Sequence, residues 1–98
     1  MTESTALNDG TQRFLKALAS ETRQQIMLVF AGGESLTVGE VATRCGLGQS
    51  TASEQLSLLR QGGLLTAVRQ GKSVYYRADT EAIRATLEDL QGYLGRCC

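Results

Sequence analysis

The segment Gly46–Leu65, GLGQSTASEQLSLLRQGGLL, constrains this chain more than any other. Glycines on both sides leave room for one short helix, Gln49–Gln61, entered from a tight Gly46-Leu47-Gly48 turn and stopped by Gly62-Gly63. Within it Ala52, Leu56 and Leu59 recur at i, i+4 and i+7, the spacing of a single buried stripe. The opposite face carries Ser50, Ser53, Glu54, Ser57 and Gln61. A helix facing only solvent would more often use Glu, Lys and Arg there. Small neutral donors suit a face laid against something polar and closely fitted.

The flanking sequence supplies the rest of a small helical domain. Met1–Asn8 reads as frayed or disordered, and Asp9 or Thr11 can cap a first helix with Phe14, Leu15 and Leu18 on one face. Ser20 is a good N-cap for Glu21–Ala31, where Glu21 complements the helix dipole. Ile26, Met27, Val29 and Phe30 make that helix apolar enough to be the central core helix, ended by Gly32-Gly33. Thr37 can cap Val38–Cys45, which buries Val38, Val41 and Ala42. After Gly62-Gly63, Leu64–Arg69 and Ser73–Arg77 read as two strands joined through Gln70-Gly71-Lys72. Asp79 or Thr80 then caps Glu81–Leu94, whose Ile83, Leu87, Leu90 and Leu94 form a coiled-coil-like seam with little chain left to cover it. Residues 95–98 are left as a cysteine-bearing tail.

Composition narrows the function. The chain has 98 residues, enough for one domain, 1–98, with an adequate core. No apolar run approaches the roughly 20 residues of a membrane helix. The start, MTESTALNDG, lacks the apolar stretch of a signal peptide, so a cytoplasmic protein with no membrane partner is expected. Ten basic and ten acidic residues cancel, but unevenly along the chain. Between Arg44 and Arg77 the charges are Arg44, Arg60, Arg69, Lys72 and Arg77 against Glu54 alone. A basic middle between acidic ends fits a local polyanion contact. An enzyme is disfavoured: there is no His, no paired carboxylate in a plausible cleft and no Gly-rich phosphate loop, and Glu88-Asp89 reads as a solvated helix flank.

Helix, tight turn, helix and basic hairpin, in that order, make a helix-turn-helix with a wing. The fold class is mostly α with a β-hairpin wing. In such units the second helix enters the major groove, where Ser, Thr and Gln can meet bases and phosphates. At this point LASETRQQIMLVF, VGEVATRCGLGQSTASEQLSLLRQGGLL and VRQGKSVYYRAD together resemble the ArsR/SmtB family of small metal- and thiol-responsive repressors, over Leu15–Leu94. The resemblance implies a homodimeric winged helix-turn-helix repressor on a palindromic double-stranded DNA operator. It places Gln49, Ser50, Thr51 and Ser53 on DNA, with Arg69, Lys72 and Arg77 in or near the wing. Glu54 would repel phosphate but can accept from cytosine N4, or it is simply solvated beside the groove. The first and last helices of the family form the dimer interface, which assigns Phe14, Leu18, Ile83, Leu87, Leu90 and Leu94 to it.

The inducer sites depart from the family. Its third-helix cysteine motif is replaced by Leu36-Thr37-Val38-Gly39-Glu40, and a last-helix zinc site needs histidine. Three cysteines remain, an odd number that suggests no disulfide framework. Cys45 reads first as a small core hydrophobe. Cys97 and Cys98 follow Arg96, which favours their thiolates, and a soft thiolate pair suits As(III) or Sb(III). Some arsenic-responsive family members carry cysteines near the C-terminus in a similar way. A third ligand could be Cys45, a partner chain's thiol or a small thiol. No cofactor is required for folding. The expected function is repression of a small operon, relieved by such an inducer. Open alternatives are a thiol redox or persulfide-responsive repressor, and a winged-helix interaction module without a metal inducer.

Overall fold

The computed structural model describes residues 6–97, in the order α1 (Asp9–Leu18), α2 (Glu21–Leu28), β1 (Leu36–Thr37), α3 (Val38–Cys45), α4 (Gln49–Gln61), β2 (Leu65–Gln70), β3 (Ser73–Ala78) and α5 (Thr80–Cys97). Cys98 and residues 1–5, part of the segment expected to fray, lie outside the described residues. Residues 6–8 correct that expectation. Asn8, rather than Asp9 or Thr11, is the N-cap of α1, its side chain accepting from the Thr11 N–H at 2.8 Å, and the Leu7 carbonyl accepts from the Gln12 side chain. An Asn side chain one residue earlier satisfies the same orphan amides.

Helix α2 is shorter than expected. Beyond Leu28 the N–H groups of Val29, Phe30 and Ala31 donate to Ile26, Met27 and Leu28, three residues back, so the chain tightens into a turn before Gly32-Gly33. Its burial is also one-sided. Ile26 is buried in the helix and Phe30 in the turn, whereas Leu28 is 72% exposed. Helix α3 follows the sequence reading. Thr37 and Glu40 form a reciprocal capping box, and Val41 and Ala42 are buried, whereas Val38, in the first turn, is only half-buried against the core.

The core is the meeting of these helices with the sheet. Phe14, Ile26, Phe30, Leu36, Val41, Leu56, Leu59, Leu64 and Leu65 form one buried cluster. Helix α4 packs on α1, α3 and β2. At its C-terminus Gly62 is buried against α1, and a Cβ there would stand 2.5 Å from the Ala17 Cβ, so only glycine lets the two helices approach this closely.

The sheet has three strands in the order β1-β3-β2, all antiparallel. The short β1 was not read from sequence; Leu36 pairs with Tyr76 and Thr37 with Tyr75. From β3 the chain enters α5. The Asp79 N–H donates to the Leu64 carbonyl and its side chain accepts from the Ala82 N–H at 3.1 Å, fixing the start of the helix. Helix α5 runs through Cys97, so residues 95–97 are its last turn and not a separate tail. None of its residues is buried. Its tie to α1 is polar: the buried Thr11 hydroxyl donates to the Asp89 carboxylate at 2.7 Å. Asp89 is therefore half-buried and paired, against the expectation of a solvated flank.

Candidate nucleic-acid interface

The turn between α3 and α4 places the second helix. Gly46 adopts φ +66°, and the N–H groups of Gly46 and Leu47 return to carbonyls of the last turn of α3. That left-handed residue closes α3 and redirects the chain within two residues. Gly48 then begins α4, with no side-chain cap over the first-turn amides. Those N–H groups stay open at the end of the helix where the dipole favours anions.

On α4 the buried stripe Ala52, Leu56 and Leu59 is at 0% exposure, which fixes the opposite face outward. Gln49, Ser50, Thr51, Ser53 and Glu54 are all exposed. The structure does not gather them equally. Ser50, Ser53 and Glu54 line one shallow trough with Ser57, Leu58 and Gln61. Gln49 lies instead in a neighbouring trough against α3, with Thr37, Gly39, Glu40, Thr43 and Arg44. Thr51 lines neither. Leu58, absent from the residues singled out by sequence, adds an apolar edge to the first trough; its exposure follows from its place on the flank between the stripe and the outer face.

The wing cations also divide. Residues paired across antiparallel strands share a face of the sheet, and alternate residues switch faces. Arg69 pairs with Val74 and Arg77 with Thr66, so the two arginines point to opposite faces. Arg69 and Lys72 belong to the tip. Arg77 belongs to the base, lining a cavity with Met27, Phe30, Thr66, Asp79 and Glu81. Arg44 is joined to Glu34 by an exposed ion pair at 2.8 Å.

The candidate dimer residues sort as clearly. Phe14 is 3% exposed and belongs to the chain's own core, so it is withdrawn from the interface. Leu18 and Ile83 pack partly on that core as well. Leu87 and Leu94 are 51% and 48% exposed, with Leu90 half-buried beside them. The seam that remains uncovered is the Leu87–Leu94 half of α5.

The thiols stand in different settings. Cys45 packs against the core, and desolvation by burial pushes its thiol above the ordinary value. Cys97 is exposed on the last turn of α5, its sulfur 3.8 Å from the Leu94 carbonyl. Among the described residues no three Cys, His, Asp or Glu side chains converge as a metal site.

A capped helix, a glycine turn, an outward polar helix and a hairpin on a three-stranded sheet define a winged helix-turn-helix domain. Residues 18–68 match the family of helix-turn-helix domains. The chain is 36% identical over 74 residues, 76% of its length and 68% of the relative's, to the transcriptional activator HlyU of Vibrio cholerae. It is 38% identical over 73 residues, 74% of its length and 62% of the relative's, to the biofilm growth-associated repressor of Xylella fastidiosa. With the transcriptional regulator Rv0324 of Mycobacterium tuberculosis it shares 42% identity over 78 residues, 80% of its length but 34% of that protein's. The chain thus spans less than two thirds of the length of two of these relatives. It superimposes with a TM-score of 0.71 and 33% identity on a homodimeric winged helix-turn-helix DNA-binding domain of Mycobacterium bovis, a possible ArsR-family regulator, covering 91% of this chain and 82% of that one. The chain belongs to the ArsR family of winged helix-turn-helix transcriptional regulators. That family and fold are those of DNA-binding regulators rather than enzymes. No helix among the described residues is long and apolar enough to cross a membrane.

Proposed function

We propose that two copies of this chain, associated through α5, repress a small operon in the cytoplasm by binding an imperfect palindrome. The observation that carries this reading is the trough on α4, where Ser50, Ser53 and Gln61 stand exposed beside Glu54, on a helix whose other stripe is completely buried. Ser50, Ser53 and Glu54 reach base edges from it, with Gln49 and Thr51 at its margins. Arg69 and Lys72 hold phosphates from the wing tip, and Arg77 supports the wing base on the same strand pair. Half-sites lie about one helical turn, roughly 34 Å, apart. Relatives of similar identity carry the names of an activator and a repressor; repression is the sense proposed for this chain.

The proposed inducer is a thiophilic ion such as As(III) or Sb(III). Its chemistry would be ligand exchange on the trihydroxy As(III) or Sb(III) species: each metalloid–sulfur bond replaces a metalloid–hydroxide bond, the hydroxide leaving with the thiol proton as water and no oxidation state changing. Among the described thiols Cys97 fits, being exposed and beside Arg96, and Cys98 is the adjacent donor in sequence. Cys45 fits less well, because burial holds its proton. A ligand at the end of α5 acts on the helix that joins the two chains. A coupling of about 1–3 kcal/mol between that helix and the recognition helices suffices for release.

The test is arsenite titration of the complex with a duplex selected by the wild type from a randomised library. Wild type is expected to release the DNA and the Cys97→Ser, Cys98→Ser double variant to retain it. Release of both at the same arsenite concentration would move the site elsewhere. Release by oxidant or persulfide alone would make the pair a redox sensor.

A further inference from the structure

We infer that Arg23 is a positioning residue for DNA readout, a clamp that fixes the roll of α4 against the end of α1 through Gln55. Helix α1 ends at Leu18; the Lys16 carbonyl accepts from the Ala19 N–H at 3.2 Å, while the Ala17 and Leu18 carbonyls are among the terminal ones that the helix itself does not satisfy. Two side chains from the first turn of α2 take up those two, and one of them shares the Lys16 carbonyl. The Arg23 Nε donates to the Ala17 carbonyl at 2.5 Å and an Nη to the Lys16 carbonyl at 3.4 Å. The Gln24 side-chain amide donates to the Leu18 carbonyl at 2.8 Å. The other Arg23 Nη turns the opposite way and donates to the Gln55 Oε1 at 2.9 Å. One rigid, planar group therefore bonds to the carbonyl end of α1 and to the side of α4 at once, which a lysine ammonium cannot do in the same plane.

Gln55 is well placed for this to matter. It is half-buried on the flank of α4, next to Glu54 and two residues from Ser53, the residues that line the outward trough. A helix held only by Ala52, Leu56 and Leu59 is seated on an apolar stripe, which resists separation better than small rotation. Base-edge readout needs side chains held to about 0.5 Å and 10–20°. A charge-assisted hydrogen bond at the flank supplies the directional restraint that the apolar stripe lacks. Neither Arg23 nor Gln55 touches DNA in this scheme. The clamp also joins α1, which packs on α5, to the recognition helix, so a shift at the dimer side has a bonded route to the groove.

The inference rests on the DNA reading, and the experiment separates the two. Gln55→Ala, Arg23→Gln and the double variant are titrated, over a range of salt, against the duplex selected by wild type and against a random duplex of equal length. Gln55→Ala leaves the Arg23 cap on α1 in place, so it reads the clamp without unfolding the helix end. It is expected to weaken binding to the selected duplex about tenfold, with random-duplex affinity and salt slope unchanged. Removing both partners is expected to cost no more than the worse single change, as for groups acting as one unit. Losses that add, or that are equal on the two duplexes, overturn the clamp. A salt slope lowered by about 1 in Arg23→Gln overturns it as well, because Arg23 would then hold a phosphate directly. A wild type that selects no duplex overturns the DNA reading and the clamp with it, whereas a binding wild type with unaffected variants overturns the clamp alone.

Discussion

Helices α4 and α5 are both amphipathic, and they end in opposite situations. Over 13 residues α4 buries Ala52, Leu56 and Leu59 completely within its own chain. Over 18 residues α5 buries nothing, and Leu87 and Leu94 stay half exposed. An apolar stripe stabilises a fold only when something covers it. For α4 the cover is α1, α3 and β2, which leaves its polar face free to meet DNA. For α5 the cover proposed above is a second copy. The difference separates readout from assembly, and it gives each helix a distinct response to mutation.

The largest expected effect lies on α5. Changing Leu87 and Leu90 together to Asp should give monomers in sedimentation and lower operator affinity about a hundredfold or more, through loss of bivalent engagement. An unchanged dimer would erase the contrast between the helices.

Next is the buried stripe. Leu56→Ala is expected to cost about 2–5 kcal/mol in urea unfolding, because it removes buried methyl groups and leaves a cavity. That cost should persist at every protein concentration. Leu94→Ala, by contrast, should lower stability only where the dimer forms. Equal, concentration-independent losses at both sites would mean that α5 is covered within its own chain.

Gly62→Ala sharpens the same comparison at the end of α4. Its Cβ meets Ala17 at 2.5 Å and the Arg13 carbonyl oxygen at 3.2 Å. A loss of about 1–3 kcal/mol is expected from forcing α1 and α4 apart. Unchanged thermal stability would show that the approach of the helices is not needed.

The smallest effect concerns the thiols at the ends of α3 and α5. Burial raises the Cys45 pKa, so less thiolate is present at a given pH and alkylation should be slower than at Cys97. Mass spectrometry of partly alkylated protein at mildly alkaline pH reads the order directly. Faster reaction at Cys45 would remove the reason for placing the inducer on α5.

The elements legible in the sequence are those specified locally. Thr37 with Glu40 sets the start of α3, and the Gly46 and Gly62 positions bound α4, so those helices match their expected spans residue for residue. What was missed depends on distant partners. Leu36–Thr37 is a strand only because Tyr75 and Tyr76 lie beside it. Phe14 looks available for a dimer until the core closes over it. The outward Ser50–Ser53–Glu54 face follows from helical spacing alone. The separation of Arg69 from Arg77 needs the strand register. The Arg23–Gln55 bond spans 32 positions and has no local signature.

The most direct test of the central claim is the affinity of the wild-type chain for its selected duplex, measured by fluorescence anisotropy across salt concentrations, with both half-sites intact and with one scrambled. The expected result is a linear fall of log affinity with log salt, as phosphate contacts require, and a marked loss when one half-site is scrambled. Salt-insensitive binding, or equal affinity for the intact and half-scrambled duplexes, would contradict a dimer that reads DNA through α4.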